Sequence, residues 1–266
     1  MWHGIGIMGT GTWDSEQSLF HCSAGDLLSS FDQQAPILTM NPTGPGNTHP
    51  QKHAPFVVHH AGVYHLFYRR PPGSIFYARS NDPNIWPDLG EVVFEEADAR
   101  DVCILTLADE FWMYYCQSAV VAGTPRSTIM VRRSPDLRHW SQATVAHVDT
   151  IKIATHSHLE SPFVLKRPEG FYLFIRHRLL DERCVTVVLF SDRPDQFPGG
   201  DHAWFCEMED IHAPEIITYE GKYYLARVSG PPHSNSKAPL HGGWVEIAQL
   251  KFHPERGQSM PAKSRG

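Results

Sequence analysis

Apolar residues in this chain come in short, aromatic and β-branched runs. Phe56-Val57-Val58, Tyr64-His65-Leu66-Phe67-Tyr68 and Val185-Thr186-Val187-Val188-Leu189-Phe190 are typical. Runs of this length between turn residues predict strands. Pro (21) and Gly (20) recur at intervals too short for a sustained helical period. The pattern predicts an all-β chain.

The runs repeat. One segment type reads apolar, Ser, Asp, aromatic, with its serines at Ser23, Ser80, Ser134 and Ser191, spaced 57, 54 and 57 residues apart. Examples are Ser80…Asp82…Trp86 and Ser134…Asp136-Leu137…Trp140. A second segment is a strand opened by a polar residue: His53-Ala54-Pro55-Phe56, Asp101-Val102-Cys103-Ile104, Glu160-Ser161-Pro162-Phe163 and His212-Ala213-Pro214-Glu215. Eleven or twelve residues after each opener comes an aromatic strand, at Tyr64, Trp112, Tyr172 and Tyr223. A unit of about 55 residues built this way is a four-stranded blade, and radial repetition makes a β-propeller. The expected architecture is a five-bladed β-propeller with an incomplete N-terminal blade, one domain over 1–254. Its blades fall at about 1–38, 39–96, 97–148, 149–205 and 206–254, followed by a flexible polar tail over 255–266.

Composition narrows the function. The net charge is −6, from 29 acidic and 23 basic side chains, without a run of Lys or Arg. Nucleic acid and anionic membrane are therefore not expected partners. No stretch approaches the ~18 consecutive apolar residues of a membrane span. Five cysteines without a C-x-x-C pair predict buried thiols rather than a disulfide framework. The sequence from Met1 has no basic and apolar leader, but a missing first segment leaves localisation undetermined.

In a propeller the innermost strands line a central channel, so the openers His53, Asp101, Glu160 and His212 converge at one mouth. A ring of acids and imidazoles suits glycoside hydrolysis, in which one carboxyl protonates the leaving oxygen and another serves as base or nucleophile. The donor must stay protonated near neutrality, and like-charge repulsion between Asp101 and Glu160 is one way to achieve this.

These segments resemble the five-bladed propeller glycosidases of families 43 and 32, which include arabinanases, xylosidases and fructosidases. Ala99-Arg100-Asp101-Val102 resembles their Arg-Asp-Pro motif, with Val102 in place of Pro. The resemblance implies that Asp101 modulates the acid's pKa or stabilises the transition state. Leu159-Glu160-Ser161-Pro162-Phe163-Val164 resembles the strand carrying the general acid, which puts that role on Glu160. His212-Ala213-Pro214-Glu215 resembles a fifth-blade strand whose His lies near the axis, in some members beside a bound cation. His53, His158, Arg176, His212 and Glu215 are the expected substrate-binding residues. A carbohydrate is the expected partner; no cofactor is expected beyond that structural cation.

The family's third acid, an Asp, opens the innermost strand of the first blade. Trp2-His3-Gly4-Ile5-Gly6 aligns with an aromatic second strand, so that opener falls before Met1. Three readings follow: a truncated enzyme; a natural protein that uses another group or none, and so is a binding module or a degenerate enzyme; or a rotated register with His53 in the essential place. Sugar, linkage, stereochemistry and oligomeric state are not legible. His156 and His158 share one face of an extended strand, yet no further ligands stand at zinc-site spacing, and no metal site is expected.

Overall fold

The computed structural model describes residues 2–7, 19–33, 53–70, 73–86, 91–96, 98–152, 159–179, 184–199, 204–209, 211–229 and 244–252. Those residues contain strands and no helix, and they fall into five antiparallel sheets taken in chain order. The first sheet is β1 (Trp2–Ile7), β2 (Leu19–Ala24) and β3 (Asp32–Gln33). The second is β4 (His53–His60), β5 (Val63–Arg70), β6 (Ser74–Ser80) and β7 (Glu91–Glu95). The third is β8 (Arg100–Leu107), β9 (Glu110–Val121), β10 (Thr124–Ser134) and β11 (Thr144–Lys152). The fourth is β12 (Leu159–Arg167), β13 (Gly170–Arg178), β14 (Cys184–Ser191) and β15 (Trp204–Glu209). The fifth is β16 (His212–Tyr219), β17 (Lys222–Ser229) and β18 (Trp244–Leu250).

Each sheet meanders outward from its first strand, and β4, β8, β12 and β16 touch one another in that order. That is the inner ring of a propeller. Side-chain alternation along the strands supplies both faces of every blade. On β9, Phe111, Met113 and Tyr115 pack toward the second sheet with Phe67, Ile75 and Tyr77. The intervening Tyr114 and Cys116 pack toward the fourth sheet with Leu173, Ile175 and Val187. Leu19 joins Leu66 and Tyr68 between the first and second sheets, and Phe174 joins Ile216 and Leu225 between the fourth and fifth. Each such fully buried side chain contributes about 1.5–3 kcal/mol.

The expected propeller with an incomplete N-terminal blade is what the chain builds, but the count of five needs correction. Among the described residues, four sheets own an innermost strand. After β2 the Leu28 N–H donates to Asp26 Oδ1 at 2.8 Å, as Asn84 N–H does to Asp82 Oδ1 at 2.9 Å after β6. That shared turn makes β2 the equivalent of a third strand and β1 of a second. The inner edge of β1 pairs with no strand among the described residues, so four blades stand beside a partial sheet.

The repeated Ser and Asp are structural. Ser134 Oγ donates to Asp136 Oδ1 at 3.1 Å, while the Arg138 and His139 N–H groups donate to the same carboxylate oxygen at 2.9 and 2.8 Å. An Asp closes the turn in this way after β2, β6 and β10, at the end of the blade away from where the inner strands begin. The strands β11 and β15 run to Lys152 and Glu209, a few residues beyond 148 and 205. The tail over 255–266 lies outside the described residues.

Candidate active site

The four inner strands share one irregularity. On β4, His53 pairs with Arg69 and Phe56 with Phe67, so one extra residue is inserted between them. The same bulge lies between Arg100 and Cys103, Glu160 and Phe163, and His212 and Glu215. In each, the second residue takes a left-handed φ: Ala54 46°, Asp101 57°, Ser161 50° and Ala213 50°. None is Gly, and each such placement costs about 1–3 kcal/mol. A bulge re-aims the side chains around it. Here it does so identically four times at the channel mouth.

This register corrects the sequence reading of the third blade. The residue equivalent to His53, Glu160 and His212 is Arg100, while Asp101 occupies the bend position of Ala54, Ser161 and Ala213. The three other bends are followed by Pro55, Pro162 and Pro214; Val102 replaces that Pro in the third blade and concealed the offset.

Arg100 and Asp101 grip the neighbouring blade on both sides of Glu160. The Arg100 Nη2 donates to the Leu159 carbonyl at 2.7 Å, and Asp101 Oδ2 accepts the Ser161 N–H at 2.9 Å. Arg100 is buried and its Nη1 donates to Asp98 Oδ2 at 2.8 Å, where Ser118 Oγ also donates at 2.6 Å. Burial works against the Arg100 charge, yet the surrounding Cys116, Asp101, Asp98 and Glu160 outweigh it and raise its pKa. Burial lowers the pKa of Arg69, an effect that nearby Asp101 opposes. Arg100 is the residue that sequence reasoning missed.

Glu160 itself is paired with the Arg176 guanidinium across the β12–β13 register. Its side chain is 37% exposed, against 15% for Arg176. Asp101 and Glu160 are therefore not a bare repelling pair: Asp98, Asp101 and Glu160 stand among Arg69, Arg100 and Arg176.

One level deeper, the residue that ends each bulge is Phe56, Cys103, Phe163 or Glu215. The rings of Phe56 and Phe163 approach to 6.4 Å although their blades are separated by the third, so this level faces the axis. Glu215 reaches solvent, yet protein packed around its carboxyl removes part of its hydration. Burial pushes its pKa up to about 7. Its charge reaches Cys103, whose own pKa burial raises to about 12.

His53 is buried at the mouth and His212 half-buried. His156 and His158 lie outside the described residues. Among the described residues no cluster of three or more His, Cys, Asp or Glu side chains is placed to hold a metal ion, beside His212 or elsewhere. A cleft of about 320 Å³ lined by Trp112, Arg133, Ser141 and Asp195 shares no residue with the charged cluster. The five cysteines include no disulfide, and Cys103 and Cys116 are buried.

No protein-family model and no curated protein matches the sequence. Solved structures match the fold. An α-L-arabinanase of Cellvibrio cellulosa complexed with arabinohexaose is similar with a TM-score of 0.69 at 14% identity, over 95% of this chain and 92% of that one. A thermostable family-43 glycoside hydrolase gives 0.65 at 15% identity, over 95% and 91%. The family-32 β-fructofuranosidase of Bombyx mori gives 0.62 at 16% identity, over 89% of this chain and 54% of that one. Identities this low show a common fold.

Proposed function

We propose that this propeller hydrolyses glycosidic bonds in oligo- or polysaccharides, with Glu160 as the proton donor. The observation that carries the reading is the grip on Leu159 and Ser161 by Arg100 and Asp101, which fixes one carboxyl at the channel mouth. A second blade spends two ionisable side chains on aiming Glu160, more than strand packing requires. Likeness in fold to arabinanases and a fructosidase supports the same reading. When a sugar enters, its hydroxyls replace Glu160 as partners of Arg176, and the freed carboxylate takes up a proton from solvent and gives it to the leaving oxygen. Asp101 keeps that carboxyl in register and faces the developing positive charge of the sugar. His53, His212 and Glu215 line the pocket and bind hydroxyls. A two-carboxyl reaction of this kind needs no cofactor.

The competing reading is a propeller that binds carbohydrate without cleaving it, favoured by the first sheet's lack of an inner strand among the described residues. A panel of aryl furanosides, aryl pyranosides and fructans separates the two. Turnover that Glu160→Gln abolishes supports the hydrolase; saccharide binding without turnover supports the module.

A further inference from the structure

Hydrolysis needs a second carboxyl, and three acids are described at the axis: Asp101, Glu160 and Glu215. Asp101 is engaged with the Ser161 N–H. Glu215 has no hydrogen-bond or ion-pair partner among the described residues, and it is set in a floor otherwise made of Phe56, Cys103 and Phe163. It stands on β16, the strand next to β12, so it and Glu160 reach the same channel from adjacent blades. The inner strands all start at the mouth, which puts Glu215 one level below Glu160. A sugar lying on the two Phe rings then has Glu160 at its upper face and Glu215 beneath it. We infer that Glu215 is the general base opposite Glu160.

The step balances. Water attacks the anomeric carbon and gives one proton to the Glu215 carboxylate. The bond from that carbon to the leaving oxygen breaks with its electron pair on oxygen, and Glu160 protonates that oxygen. Solvent then returns a proton from Glu215 to Glu160. A carboxyl held up to about 7 by its surroundings is a stronger base than an ordinary one and sits near the working pH, where proton transfer is most effective.

This inference rests on the hydrolase reading, and the test keeps the two apart. The wild-type protein is first assayed on the aryl glycoside panel from pH 5 to 9; no turnover on any substrate overturns the hydrolase reading itself. With an active wild type, Glu215→Gln is expected to lower kcat by about 10²–10⁴-fold and to abolish the limb of activity that rises through pH 7. Glu215→Ala is expected to regain turnover in sodium azide, whereas Glu160→Gln stays inactive with it. Unchanged kcat and pH profile in Glu215→Gln overturn the assignment. Should either variant fold poorly, infrared titration of the wild type decides: a protonated-carboxyl band that disappears near pH 7 and is missing in the other variant supports it, and no such band overturns it.

Discussion

Replacing Arg100 by methionine keeps the length of the side chain and removes its charge and fork of donors. In the folded protein three contacts vanish: two to Asp98, at 2.8 and 3.2 Å, and one to the Leu159 carbonyl at 2.7 Å. Leu159 is fully buried, so its carbonyl is left without a partner from Arg100, at about 1–3 kcal/mol. Asp98 is 39% exposed and retains the Ser118 hydroxyl, so its share is small. The expected loss is about 2–4 kcal/mol, read from urea denaturation at pH 7 with an unchanged m-value. Arg100→Lys restores the charge but cannot reach Asp98 and Leu159 together, and is expected to recover about half. The same pair of variants reports on Glu160. If Arg100 aims that carboxyl, kcat on the favoured glycoside falls more than KM changes, in Arg100→Lys as well as Arg100→Met. A loss of stability under about 1 kcal/mol in Arg100→Met, with kcat retained, would refute the grip.

Three further outcomes follow from the packing. Burial depresses the pKa of His147 to about 4, with nearby Asp149 raising it and His177 lowering it by less. The unfolded chain therefore takes up that proton first as pH falls below 6.5, and up to about 3 kcal/mol of stability present above pH 6.5 is lost by pH 4. Denaturation at pH 7 and pH 4.5 checks this, with His147→Gln expected to show the shallower decline. A Cβ on Gly170 would meet the Ser191 carbonyl oxygen at 2.6 Å and the Phe190 ring at 2.7 Å, whereas one on Gly62 meets nothing within 4 Å. Gly170→Ala is expected to destabilise by about 1–3 kcal/mol and by more than Gly62→Ala; the reverse order in thermal melts counts against the close approach. The Tyr219 hydroxyl donates to Asp26 Oδ2 at 2.6 Å, joining the fifth sheet to the first. Tyr219→Phe is expected to lower Tm and speed amide exchange in residues 19–24, and unchanged exchange there would mean the two sheets close by other contacts.

Much of this fold is written locally. A turn side chain such as Asp136 satisfies its own next residues, and a strand such as β9 shows both of its packing faces in alternate letters, so each repeat declares itself within about 55 residues. The position of Glu160, His53 and His212 at the head of an inner strand was legible for the same reason. The offset of Asp101 was not, because the bulge that places it is a backbone event, and Val102 hides the Pro that marks it elsewhere. The part played by Arg100 was hidden more deeply. Its partner Leu159 lies 59 residues away, and a main-chain carbonyl leaves no trace in a residue code. Arg176 was legible as the end of an aromatic strand, but its pairing with Glu160 depends on the β12–β13 register.

The recurring bend at residues 54, 101, 161 and 213 separates the shape of the axis from its chemistry. Imidazole, guanidinium and carboxylate already occupy the leading place on the same scaffold, at His53, Arg100, Glu160 and His212. A single codon change at any of these four sites thus exchanges one reactive group for another while the main chain keeps its path. Such a framework is open to redesign by substitution alone, with no loop to rebuild and no strand to shift.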